Sequence, residues 1–282
     1  MEQMQHRTEM RSITADQQKR IEDVCFRSLA LIGRNCEYLD QHLEHTGADL
    51  PTRQAVADIN AAAVQLDRTL SEAMTLLEFL REDEKPQLYP MDLCELLQQI
   101  AAQSDMIRAQ LGVEILLDYG GWTSCCVQAD HSDAELLCLH LLSNALHASR
   151  EGGQVCIALR RTQAFWQLTV TDEGCGLPGG DAENSLENRR CFLGGAQLGL
   201  LLCRECCRRM GWELQLEPAA EKGTQAVVTI PLYRSGGLSD GTVELHTDSE
   251  TVREQRRYHL RTMLVREMRT MPERGDPEEE II

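Results

Sequence analysis

The sequence predicts an α+β protein, in which a long helical hairpin precedes a mixed sheet with helices on one face. Three observations lead there. A heptad-spaced apolar seam fills residues 20–84, helical and alternating patterns mix from 87 to 233, and Pro86 and Pro90 punctuate the change. With 282 residues, 42% of them hydrophobic and 26% charged, the chain can bury a sizeable core.

Residues 1–19 read as a polar leader and 20–86 as the hairpin. In its first helix Cys25, Leu29, Ile32, Cys36, Leu39 and Leu43 step by four and three. In its second, Val56, Ile59, Ala63, Leu66, Leu70, Ala73, Leu77 and Leu80 do the same without a break. Gly47 and Pro51 mark the stop of one helix and the start of the next. The second helix is roughly 45–50 Å long, and two such helices bury too little surface alone. A dimeric four-helix bundle is therefore expected; packing of the hairpin on the following domain is the alternative.

Within 87–233, Asp92 to about Leu111 reads as a helix and Val113–Asp118 as a strand. Asp133 to about Ser149 is an apolar helix. Residues 154–161 and 165–172 alternate across Thr162-Gln163-Ala164, a hairpin pattern. Leu198–Met210 is helical, Trp212, Leu214 and Leu216 alternate, and Thr224–Pro231 closes as a strand. Residues 234–282 form a tail with a flexible SGGLSDG stretch. Its Thr251–Met271 segment has six Arg and two Glu in an amphipathic pattern. That face reads as solvated or folded back on an acidic body, with an acidic partner or membrane surface as the alternative.

Composition excludes several functions. A formal net charge of −17 disfavours general nucleic-acid binding, which needs a positive field. No apolar run reaches bilayer length and the N-terminus lacks a signal-peptide h-region, so no transmembrane segment and a cytoplasmic location are expected. There the 12 cysteines stay reduced. Cys203, Cys206 and Cys207 fall in an apolar helical stretch and read as a buried helix face rather than a zinc knuckle. Only Lys19, Lys85 and Lys222 are lysines among 28 basic residues, which leaves phosphate contact to Arg, His or backbone.

Three clusters carry chemistry. Asn144 is a polar residue within the apolar run Leu141–Ala148, and its amide oxygen suits Mg²⁺. Asp172-Glu173-Gly174-Cys175-Gly176 ends an alternating strand; the glycines admit a ligand ring and the carboxylate accepts from an exocyclic amine. Gly194-Gly195-Ala196-Gln197-Leu198-Gly199-Leu200 leads into a helix, an anion-binding arrangement. Each alone is equally an ordinary helix or turn; their order and combination are more specific.

In that order the three clusters resemble the N, G1 and G2 boxes of the ATP-binding domain of histidine kinases and the wider GHKL ATPases, which include Hsp90, gyrase and MutL. Gly223-Thr224 matches the Gly-Thr near that domain's end. The resemblance covers 87–233, about half the chain, and the preceding hairpin resembles the dimerisation and phosphotransfer region of a sensor kinase. It implies a GHKL (Bergerat) α/β sandwich that uses ATP and Mg²⁺. Asn144 would be the Mg²⁺ ligand and Asp172 would hold the adenine amine. Gly174 and Gly176 would shape the base pocket, with Thr224 beside it. Gly195, Gly199 and Leu200 would line the phosphate loop, and residues 177–197 would form the lid. Arg189 and Arg190 lie in that lid, within reach of the phosphates, and His147 stands where kinases often have Lys.

Departures from the family pattern bear on activity. Gln197 replaces a G2 glycine. His140, one turn before Asn144, stands where gyrase-like members carry a catalytic Glu, so water-activating hydrolysis is not supported. Residues 20–40 contain no His, and the acceptor motif early in the first helix is missing. His42 and His45, by the connecting loop, are weak acceptor candidates. The expected function is a cytosolic, homodimeric histidine kinase-like protein that transfers the ATP γ-phosphoryl group, with a response regulator or other regulatory protein as partner. A non-catalytic nucleotide-binding scaffold or partner-switching regulator is the alternative. A conformational clamp and a serine kinase are less favoured by the missing Glu and by the long hairpin, respectively.

Overall fold

The structure is a computed structural model that describes residues 15–47, 49–79, 86–174, 176 and 198–233, with Glu254, Arg261 and Leu264 in the tail. The chain divides into two compact units, Met1–Met74 and Thr75–Ile282.

The first unit holds helix α1 (Ala15–Thr46) and most of α2 (Leu50–Phe79). Helix α1 begins at Ala15, inside the stretch expected as leader. Gly47 ends it with φ +66°, a left-handed conformation that glycine adopts without a Cβ clash. Gly33 of α1 faces Asn60 of α2, whose Oδ1 lies 4.0 Å from where a Cβ on Gly33 would stand. Of the heptad seam, Cys36 and Ala63 are buried, whereas Ile32, Leu39, Ile59, Leu66 and Leu77 remain exposed.

The second unit opens with the last turn of α2 and continues through β1 (Tyr89–Asp92), α3 (Leu93–Ala101), α4 (Ser104–Leu111), β2 (Glu114–Asp118), β3 (Cys126–Ala129), α5 (His131–Ala148), β4 (Gln154–Arg161), β5 (Phe165–Asp172), α6 (Leu198–Met210), β6 (Glu213–Pro218) and β7 (Thr224–Pro231). Five strands form one sheet in the order β2-β4-β5-β7-β6, with β2 and β4 parallel and the other pairs antiparallel. The β4–β5 turn is held by Thr162, whose Oγ1 accepts from the Ala164 and Phe165 N–H groups.

Two features differ from the sequence expectation. The helix expected from Asp92 to Leu111 is two, broken at Ala102–Gln103, where the Gln103 N–H turns back to Ile100 O. The apolar spacing runs through this break, since Ile100 and Ile107 are both fully buried, so periodicity conceals it. A second, two-stranded sheet pairs β1 with β3. Asp92 secures it: its Oδ1 caps α3 through the Cys94 N–H and also accepts from the Cys125 N–H, both at 2.9 Å.

Alternation along β5 buries Trp166, Leu168, Val170 and Asp172 on one face of the sheet. With Leu93, Leu97 and Ile100 of α3, Leu137, Leu142 and Leu146 of α5, and Ile157, Leu159 and Ile230 of the sheet, three of these apolar side chains join one core. Leu264 of the tail, helical and 1% exposed, joins it too. Cys203, Cys206 and Cys207 are buried on α6, as their spacing indicates. Burial raises the Cys138 and Cys207 thiols to about 12, so both are protonated packing groups.

Candidate nucleotide-binding site

Helix α5 sets one wall of the site. Asp130 caps it, accepting from the Ser132 and Asp133 N–H groups at 3.0 and 3.3 Å. Most of the helix is buried, His140 included, but Asn144 is exposed one turn further on. The amide is therefore turned toward solvent rather than into the core, open to a ligand. His147 is half-buried, and its Nδ1 stands 2.8 Å from Ser143 O. A carbonyl only accepts, so Nδ1 carries the hydrogen.

The second wall is the end of β5. Asp172 is 5% exposed, and its Oδ1 accepts from the Gly174 N–H at 2.8 Å and the Thr224 N–H at 3.1 Å. No described residue donates to Oδ2. Burial pushes the Asp172 carboxyl above its usual value, and the two amide bonds oppose that rise. A buried carboxylate with one oxygen held by backbone and the other without a donor fits an amine ligand.

Glycines let the walls close. A Cβ on Gly174 would lie 2.2 Å from Ala148 O, so the end of β5 packs against the last residue of α5 only with glycine there. Gly223, just before β7, has φ +97°, and a Cβ on it would stand 2.0 Å from Asp172 O. Gly176, at φ +80°, lies against Gly223 O.

The structure thus brings Asp172, Gly174, Gly176 and Thr224 together and seats Ala148, the last residue of α5, against Gly174, with Asn144 and His147 four and one residues earlier on that helix. Gly199 is buried and Leu200 half-buried in the first turn of α6. Arg189, Arg190, Gly195 and the expected lid 177–197 lie outside the described residues. Sequence reasoning assigned no site role to Ala148 or Gly223. The Gly-Thr motif pointed to Gly223, whereas Ala148 carries no sequence signal because only the close approach of Gly174 requires a small residue there. His42 and His45 are at the loop end of α1. His42 stacks on Tyr38 with centroids 6.3 Å apart, and His45 Nδ1 donates to Gln41 O at 2.6 Å.

Residues 129–234 match the family model described as "Histidine kinase-, DNA gyrase B-, and HSP90-like ATPase". Sporulation kinase C of Bacillus subtilis (strain 168) is 26% identical over 190 residues, covering 64% of this chain and 42% of the relative. The alginate biosynthesis sensor protein KinB of Pseudomonas aeruginosa is 28% identical over 197 residues, covering 65% and 32%. The adaptive-response sensory kinase SasA of Nostoc sp. is 31% identical over 116 residues, covering 39% and 29%. The chain spans less than half the length of these curated relatives. Among solved structures, full-length ShkA in complex with AMPPNP has the same fold, with a TM-score of 0.53 at 21% identity over 78% of this chain and 46% of that one. Residues 129–234 are thus similar to the histidine kinase-, DNA gyrase B- and HSP90-like ATPase family, and the proteins this chain resembles include sensory kinases.

Proposed function

We propose that the chain binds Mg-ATP between the end of α5 and Asp172 and passes the γ-phosphoryl group on in kinase-type signal transduction. The observation that carries this reading is Asp172: a buried carboxylate whose Oδ1 takes two backbone N–H groups and whose Oδ2 is left for the adenine amine. In this reading Gly174 and Gly176 leave room for the base, and the exposed Asn144 would offer its amide oxygen to Mg²⁺ beside the phosphates. Among the described residues no three His, Cys, Asp or Glu side chains cluster to hold a metal. Mg²⁺ would be held by the Asn144 amide oxygen, phosphates and water. Mg²⁺ when bound would neutralise charge on the transferred group. Arg189, Arg190 and Gly195 are proposed phosphate contacts, with Gly199 and Leu200 at the helix start and His147 supplying a ring nitrogen.

The domains are proposed as 20–86 for dimerisation and 87–233 for ATP binding. The exposed seam of the hairpin supports a homodimer, in a cytoplasmic protein that meets a response regulator or other regulatory protein. The missing acceptor motif early in α1 favours an acceptor on another protein over either histidine. A second reading, a nucleotide-binding regulator without transfer, is favoured by the absence of His from residues 20–40.

Incubation with γ-labelled ATP and Mg²⁺, alone and with candidate partner proteins, separates the readings. Acid-labile label on the protein or a partner, absent with Asn144→Ala, is expected for the kinase. Nucleotide binding without label leaves the regulator. Equal Mg-ATP affinity in wild type and Asn144→Ala overturns the site assignment; a loss of about tenfold or more is expected.

A further inference from the structure

At the end of the sheet opposite Asp172, three side chains form a cluster that the nucleotide site does not use. Arg161 ends β4 and is the register partner of Trp166 on β5. By alternation with Val155, Ile157 and Leu159, Arg161 lies on the same face as the core. Trp122, from the β2–β3 connection, lies over them. The guanidinium carbon of Arg161 is 5.1 Å from the Trp122 ring centroid and 5.5 Å from that of Trp166, and the two indoles meet edge to face at 5.3 Å. Trp166 is 4% exposed, whereas Trp122 is 41% exposed. Six residues along one strand separate Trp166 from Asp172, about 20 Å.

The connection is organised to hold Trp122. Gly120 and Gly121 turn at φ +58° and +85°, the Trp122 N–H donates to Tyr119 O at 3.0 Å, and Asp118 Oδ1 accepts from the Gly120 N–H at 2.9 Å. Arg160 braces that turn, pairing with the Asp118 carboxylate and donating to Asp118 O. The two neighbouring arginines therefore differ in kind. Arg160 is engaged by the loop. Arg161 makes cation–π contacts with both indoles, which leave its N–H groups unused. No described residue accepts a hydrogen bond from Arg161 or pairs with it.

An arginine over two indoles, with its N–H groups unused by the described residues and an exposed indole beside it, suits a carboxylate next to an apolar side chain. We propose that Trp122, Arg161 and Trp166 dock an acidic segment of a partner protein. A Glu or Asp carboxylate takes the free edge of the Arg161 guanidinium, and a neighbouring apolar side chain covers Trp122. Local charge complementarity selects this occupant: the Arg161 guanidinium has no acceptor among the described residues, and Arg160 beside it is already paired with Asp118.

The test is fluorescence anisotropy of a labelled Glu-Glu-Leu-Glu-Glu peptide titrated with the full chain at low salt, with its Gln-Gln-Leu-Gln-Gln counterpart as control. Saturable binding of the acidic peptide alone is expected, weakened about tenfold by Arg161→Gln and by Trp122→Ala. Arg161→Lys keeps the charge and is expected to weaken binding too, because an ammonium offers no planar fork. Nucleotide affinity is expected to be unchanged in all three variants. Equal affinity of wild type and Arg161→Gln for the peptide, or no binding to the wild type at millimolar concentration, overturns the proposal.

Discussion

Asp172 is the residue on which the site turns, and its chemistry is set by two opposed forces. Burial favours the protonated carboxyl, while the Gly174 and Thr224 N–H groups favour the carboxylate. Burial prevails, so the folded value lies above the unfolded one. The neutral form thus adds stability that is full below the ordinary carboxylate value and is lost as pH rises through the folded one. Asp172→Asn keeps an oxygen for the two amides and removes the charge. In urea unfolding, the stability of wild type relative to Asp172→Asn is therefore expected to rise as pH falls from 7 toward about 4. Adenine-nucleotide affinity at pH 7 is expected to drop about tenfold in the same variant, the size of one charge-assisted hydrogen bond. A pH-independent stability difference would show that the carboxyl is not perturbed.

At the scale of elements, helices α5 and α6 are tied together at the end of α5 away from the candidate site. Arg209, in the last turn of α6, donates from Nε to Asp133 Oδ2 at 2.7 Å in the first turn of α5. Its guanidinium carbon lies 4.3 Å from the ring centroid of Phe79, the last residue of α2. Both charged side chains are at least nine-tenths buried. Breaking such a pair from one side strands a charge, so Arg209→Met is expected to cost about 3 kcal/mol. Combining it with Asp133→Asn is expected to recover part of that loss in a double-mutant cycle. Additive single effects would mean that the pair does not couple α5 to α6. This clasp is also why the division between units falls inside α2, at Met74 and Thr75, rather than at the prolines. The last turn of α2 belongs with the sheet because Phe79 packs there.

At the scale of the molecule, much of the hairpin's seam is exposed among the described residues. Ile59 and Leu66 are 54% and 60% exposed although their spacing is that of a buried seam. Apolar seams of this kind close on a second copy. Sedimentation equilibrium is expected to show a dimer at micromolar concentration. Leu66→Glu, at a position exposed in the single chain, is expected to shift it to monomer with helix content retained. A wild-type monomer, or a dimer indifferent to Leu66→Glu, would refute the four-helix bundle.

Much of the chain was legible from its sequence, because the periodicities belong to single elements. The heptad steps from Cys25 to Leu80 marked both helices of the hairpin. The alternation of 154–161 and 165–172 bounded β4 and β5, and the apolar runs outlined α5 and α6. Asp172, Gly174 and Gly176 were readable as a site because a carboxylate and spaced glycines after an alternating strand have a chemical meaning before folding. Other features depended on contacts between segments far apart in the chain. The strands Tyr89–Asp92 and Cys126–Ala129 are four residues each, too short for alternation to register, and Asp92 joins them by accepting from Cys125 across 33 positions. The requirement for glycine at 223 comes from the carbonyl of Asp172, and the stacking of Arg161 comes from a tryptophan in another loop. Local sequence determined which segments are helix and strand and which residues carry chemistry, because propensity and spacing act within a few residues. Tertiary structure alone decided which oxygen of Asp172 has no donor among the described residues, which arginine has no acceptor among them, and which positions of the apolar seam stay exposed, because each depends on segments far apart in the chain.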